Sequence, residues 1–240
     1  LCFIAENGKD YFVDKDRLVL IGDSAGAQLA SHFATILTNP EFAKLFDFEV
    51  ADVTVKALGL NCGPYDGRAM ALNKNDEAFL EYIDCVDKTP DSRLLEMVDA
   101  LKYMNADYPP AFIMSTYCDF LYPCAQPMFD HLTSLGVPCE IKIYGDINRP
   151  EIGHVFHVNC RLKEAVECND AECEFFKKYV YLNNKNYTSC HTYTKIYNFI
   201  IKIRRKIMDL KLALEKFKEL QEKLSAFNHA QAIIFYDGVT

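Results

Sequence analysis

No apolar run in this 240-residue chain approaches the ~20 residues needed to cross a bilayer as a helix. A membrane-spanning protein of the helical kind is therefore not expected. No two of the ten cysteines stand in Cys-x-x-Cys spacing, and there is no His-Glu-x-x-His. The spacings that mark zinc fingers and zinc peptidases are missing. Cys160, Cys168, Cys173 and Cys190 with His157 and His191 are numerous enough to hold a metal, but they fit no finger pattern. Cys118 and Cys139 sit in apolar, strand-like runs, where a free thiol behaves as a small hydrophobe. We expect reduced structural thiols in a cytoplasmic protein, with no metal and no organic cofactor. A basic surplus is also lacking. Residues 1–183 hold 16 Lys and Arg against 29 Asp and Glu, so phosphate would be repelled and nucleic acid is excluded as their partner. The chain begins at Leu1, in what reads as a helix end, and carries no information on a leader segment.

What is present is enough to bury one sizeable core: half of the residues are apolar, with 17 Phe and 14 Tyr. Leu18-Val19-Leu20-Ile21 is a continuous apolar run, which predicts a parallel strand buried on both faces. A helix is predicted over Ala25–Thr38 and is closed by Asn39-Pro40. Further strands are predicted at Val53–Leu60, Ala111–Tyr117 and Cys139–Tyr144. In the last of these, Ile141 and Ile143 alternate with Glu140 and Lys142, as in an edge strand with one wet face. Residues 65–107 read as polar and irregular, with two short helical stretches, at 76–84 and 91–101. Helices follow over Pro123–Leu135 and Leu162–Tyr181. Strand and helix in this alternation predict an α/β fold with a doubly wound, mostly parallel sheet. In such sheets the ligand site lies beyond the carboxyl ends of the strands.

The charge changes sign near Asn183-Asn184. Residues 184–240 hold 10 basic against 5 acidic residues. Ile196, Ile200, Ile203, Ile207, Leu210, Leu214 and Phe217 step by four and three, a heptad-like seam that Leu224 resumes. Two domains are expected: 1–183, and a basic helical extension over 184–240. The 196–224 helix is a candidate for self-association or for a membrane surface.

Gly22-Asp23-Ser24-Ala25-Gly26 fits Gly-x-Ser-x-Gly between a buried strand and a helix of small residues, the setting of a nucleophile elbow. The turn is tight, so Gly22 and Gly26 are expected because side chains there would clash. A serine hydroxyl needs a base, and the base needs an orienting carboxylate. Asp119 follows the third strand by two residues, and His154 lies in the loop after the fourth. The order Ser, acid, His is the one this fold uses. The backbone N–H of Ala25 is the candidate oxyanion donor. His157 is the rival base, expected to point away from the loop on a helix. Asp146 reads as a turn residue, and His32 and His131 as structural or solvated.

The stretches Asp16–Ala27, Pro109–Met114 leading to Asp119, and Gly153-His154-Val155-Phe156 resemble the hormone-sensitive-lipase-like branch of the α/β-hydrolases over about residues 1–182. The resemblance implies carboxylic-ester hydrolysis through an acyl-enzyme, with Ser24 as nucleophile, His154 as base and Asp119 as acid. It places residues 64–107 over or beside the pocket, with Tyr65, Phe120 and Tyr122 as candidates for its lining or for core. It also implies an upstream His-Gly-Gly segment and further strands that nothing before Ser24 matches. The chain is therefore expected to be a fragment of that fold, either weakly active or a binding module only. Residues 208–240 resemble, over a short stretch, the start of a zinc carboxypeptidase family. A fusion or frame-shift join near 183–208 and a native helical appendage both remain open.

Overall fold

The computed structural model describes residues 1–85 and 89–180. The predicted extension over 184–240, its 196–224 seam and the carboxypeptidase-like stretch lie outside the described residues. In chain order the elements are α1 (Cys2–Asn7), a 3-10 turn, β1 (Leu18–Asp23), α2 (Ala25–Thr38), α3 (Pro40–Ala43) and β2 (Val55–Asn61). Next come α4 (Gly67–Leu72), α5 (Glu77–Tyr82), α6 (Ser92–Met97), α7 (Ala100–Tyr103) and β3 (Ala111–Thr116). They are followed by α8 (Tyr122–Ser134), β4 (Cys139–Tyr144), a 3-10 turn at Phe156–Val158 and α9 (Lys163–Val180). No described helix is long and apolar enough to cross a membrane.

The four strands are parallel and lie in the order β1-β2-β3-β4. Each pair is joined by a helical crossover, as parallel neighbours require. Within the described residues the strand order does not reverse. Successive right-handed crossovers in one direction put their helices on one face. Accordingly α2 and α8 share a core with Leu58, Leu60, Ala111 and Ile113. The helix after the last strand, α9, covers the other face against Ala57, Phe112 and Met114. The alternation of 57, 58, 60 and of 111 to 114 between the two cores is the period of two of a strand. This layered sheet is a partial α/β-hydrolase fold.

Two expectations are corrected. Burial on both faces belongs to β3, every residue of which is buried, and not to β1, where Ile21 is 56% exposed. Among the described residues β1 pairs with β2 alone, so an apolar run there is only half covered. Residues 65–107 hold four short helices rather than two. Each starts on an aspartate whose carboxylate accepts a first-turn N–H: Asp66 from Ala69, Asp76 from Phe79, Asp91 from Leu94 and Asp99 from Lys102. The acidic residues that made this stretch look irregular are its N-caps.

Candidate active site

Ser24 is the turn between β1 and α2. Its backbone sits at φ 56°, ψ −120°, a conformation costly for any residue with a Cβ. It is held there by its N–H, which donates to Asn61 O at 2.9 Å, and by its carbonyl, which accepts from Ala27 N at 3.0 Å. A Cβ on Gly22 would run into the Gly26 carbonyl, so glycine is obligatory at 22. At Gly26 a Cβ would meet nothing within 4 Å. The clash expected at both positions is therefore one-sided, because the backbone of 26 leans over 22 and not the reverse. Ala25 is the first residue of α2, where N–H groups have no partner one turn back.

Asp119 sits in the turn after β3 with its side chain fully buried. Its Oδ1 accepts from His154 Nδ1 at 2.8 Å and from Leu121 N at 2.9 Å. Its Oδ2 accepts from Ser115 Oγ at 3.3 Å. Charge-assisted bonds of this kind fix both the position of the carboxylate and the plane of the imidazole. His154 is carried to Asp119 by a parallel bridge between Cys118 and Gly153, which extends the β3–β4 contact past the strand ends. The His154 side chain is 25% exposed, and its ring lies 4.6 Å from that of Phe120, which is itself 74% exposed. Tyr122 packs on Tyr117 at 5.3 Å. Tyr65 is buried in the core, and its hydroxyl donates to Leu60 O. Burial pushes its phenol well above the ordinary range. An apolar groove of about 350 Å³ runs along the outer flank of α2, lined by Leu29, Phe33, Ile36, Phe46, Phe48 and Met97. Neither the three candidate catalytic residues nor Tyr65, Phe120 or Tyr122 belong to it.

Cys62, the residue after β2, stands close by. Its Sγ and the ligand atoms of Asp119 and His154 all fall within 4.8 Å of one another. A soft cation held by the three would have to displace the Asp119–His154 bond. The Cys62 thiol is pushed far above its ordinary value by burial, and hydrogen bonding to Asp119 adds to the shift. It is thus a neutral group packed against the acid. Sequence reasoning passed over Cys62, although the Asn61-Cys62-Gly63-Pro64 break marks this strand end.

His157 does not point away. It is buried, and its Nε2 donates to Asp23 Oδ1 at 2.9 Å. Val155, at φ 51°, turns the chain sharply between the two histidines, so the helical spacing assumed for 154–157 does not apply. Burial works against the charge on Asp23, but the bond from His157, its charge and a bond from Asn61 hold the carboxyl below its ordinary value. His154 also acts electrostatically on Asp23. Among the described residues, Ser24, Cys62 and Val155 are three of the five non-glycine residues with positive φ, and all stand past the carboxyl ends of strands. Strain gathered in this way is typical of functional sites. Asp146 is a turn residue whose carboxylate accepts from Asn148 N. His32 and His131 contact the carbonyls of Met97 and Leu101.

The BD-FAE family model matches residues 1–129. Esterase LipQ of Mycobacterium tuberculosis is 30% identical over 128 residues, which cover 52% of this chain and 30% of that protein. Among solved structures, esterase B from Lactobacillus rhamnosis superposes with a TM-score of 0.66 at 22% identity, covering 77% of this chain and 59% of that one. Carboxylesterase Cest-2923 from Lactobacillus plantarum superposes with a TM-score of 0.58 at 17% identity, covering 73% and 63%. The chain thus spans under a third of the curated relative and about three fifths of these solved chains.

Proposed function

Because this chain belongs to the BD-FAE family and carries part of an α/β-hydrolase fold, we propose that it is a serine hydrolase of carboxylic esters. The reading rests most on one observation: the Asp119–His154 bond stands on the same rim of the sheet as the strained turn at Ser24. Ser24 Oγ attacks the ester carbonyl carbon, and its proton passes to His154 Nε2. The electron pair of the carbonyl moves onto oxygen, where the Ala25 N–H at the start of α2 donates to it. Collapse of the tetrahedral intermediate breaks the ester C–O bond, and His154 returns the proton to the departing alcohol. Water then repeats the sequence on the acyl-enzyme. Asp119, fixed by Leu121 N and Ser115 Oγ, holds the imidazole in the Nδ1–H tautomer and stabilises its cation. Phe120, exposed against the His154 ring, is the candidate to meet a substrate, with Tyr122, packed on Tyr117, as a second.

Hydrolase chemistry is assigned to residues 1–183. It needs no metal or organic cofactor. Esterase B from Lactobacillus rhamnosis is inhibited by a tributyrin phosphonate. A fluorophosphonate probe makes the matching test here. Labelling is expected on Ser24 and should be lost in Ser24→Ala, with ester hydrolysis falling about 10⁴-fold or more in Ser24→Ala and His154→Ala. Undiminished hydrolysis by Ser24→Ala would remove the serine from the mechanism.

A further inference from the structure

Two histidine–carboxylate pairs stand three residues apart on one loop. His154 binds Asp119, at the end of β3. His157 binds Asp23, the last residue of β1 and the immediate neighbour of Ser24. The mechanism proposed above uses the first pair only. We infer that the Asp23–His157 pair is a positioning element of the same site, tying the loop that carries the base directly to the turn that carries the nucleophile. The inference rests on the reading of Ser24 and His154 as nucleophile and base.

The bond to Asp119 fixes the His154 ring relative to β3. Ser24, however, lies two strands away at the end of β1. Nothing in the Asp119–His154 pair sets the separation between the two ends of the proton transfer. The His157–Asp23 bond does so, because its anchors flank the reacting residues: 157 follows 154 by three residues, and 23 precedes 24. Both anchors are fixed in turn. The His157 carbonyl accepts from Asn169 Nδ2 on α9 at 3.0 Å. Asp23 Oδ1 accepts from Asn61 Nδ2 at 3.3 Å, while the carbonyl of the same Asn61 accepts the Ser24 N–H at 2.9 Å. Asn61 also donates to Glu172 Oε1 at 3.1 Å. Between the two histidines Val155 holds a left-handed conformation that a β-branched residue avoids, which persists only where the surrounding contacts fix it. A group serving only as packing would not be an imidazole. His157 is 6% exposed, and its Nδ1 is buried without a partner among the described residues, a cost that an apolar side chain would not carry.

The test uses the 240-residue chain and a p-nitrophenyl ester, with the fluorophosphonate labelling rate of Ser24 as a second readout. His157→Ala is expected to lower kcat about 10²-fold, the usual penalty for a misplaced reacting group, with KM unchanged. His157→Gln, whose amide nitrogen reaches the position of Nε2, should recover most of that loss. A folded His157→Ala protein with wild-type kcat overturns the inference. So does a loss that Gln fails to restore when thermal midpoints are equal. If His157→Ala does not fold, Asp23→Asn decides. It keeps the acceptor oxygen, so a kcat within about tenfold of wild type supports a hydrogen-bonded strut, and a loss as deep as that of His154→Ala overturns it. Ser24→Ala and His154→Ala run alongside. Activity surviving in those two rejects the triad itself, whereas activity lost there but intact in His157→Ala rejects only the strut.

Discussion

On the face of the sheet covered by α2 and α8, Leu58, Leu60, Ala111 and Ile113 meet Phe42, Met128 and Leu132. Buried hydroxyls on this side bond neutral oxygens: Thr35 to Ser31 O, Tyr65 to Leu60 O, Tyr108 to Ser31. On the face covered by α9, Phe112, Met114, Phe175 and Phe176 share space with Asn61, Glu172 and His157. Those groups ionise or bridge ionisable groups, and their partners are far apart in sequence, Asn61 and Glu172 by 111 residues. Ionisable groups are expensive to bury, and they persist where they fix something. What they fix here is the Asp23–Ser24 turn directly above them. One face holds the fold together. The other gives up some of that stability to hold the rim.

The contrast can be broken at three points. The largest effect is expected on the apolar face, where Leu58→Ala or Ile113→Ala should each cost about 2–5 kcal/mol in urea unfolding, equally at pH 5 and pH 8. A loss that varied with pH would blur the distinction between the faces. A smaller effect is expected at Asn61. Asn61→Leu removes the donor shared by Asp23 and Glu172 and should cost about 1–3 kcal/mol. It should also lower kcat, which Leu58→Ala should do only through unfolding. A neutral Asn61→Leu would mean that the amide bridge contributes nothing. The smallest effect is expected at Glu172. Burial raises its carboxyl above the ordinary value, against weaker pulls from Asn61 and His157. The folded state thus favours the protonated acid. The stability that this acid contributes is fully present below the unfolded value and is lost as pH rises through the raised folded one. Glu172→Gln should therefore flatten the pH dependence of stability above pH 4.5 and leave the protein steadier near neutrality. An unaltered pH profile would show that the carboxylate is better solvated than its burial suggests.

Much of the frame was legible beforehand. The apolar runs gave all four strands to within about two residues. The alternation of Ile141 and Ile143 with Glu140 and Lys142 marks β4 as an edge, and among the described strands it is one. The Gly-x-Ser-x-Gly stretch could be set between strand and helix because both patterns are local. Chain order and strand ends single out Asp119 and His154, whose side chains bond each other. The four short helices of 65–107 were half missed, since an aspartate that caps a helix looks like any other acidic residue until its N–H donors are in place. The sequence leaves Tyr65 open to the pocket or the core, and its burial places it in the core. His157 was misjudged because regular helical spacing was assumed through Val155, where the backbone turns left-handed.

By itself the sequence determined the strands and the longer helices between them, because period and composition act over a few neighbouring positions. It also determined the chemical types available at each strand end. Only the tertiary structure decided that Asp23 would meet His157, that Asn61 would meet Glu172, and that a thiol would lie against the acid. Those pairings depend on the spacing of parallel strands and on how α9 crosses them. Such geometry is set by the whole packed core, and no local pattern encodes it.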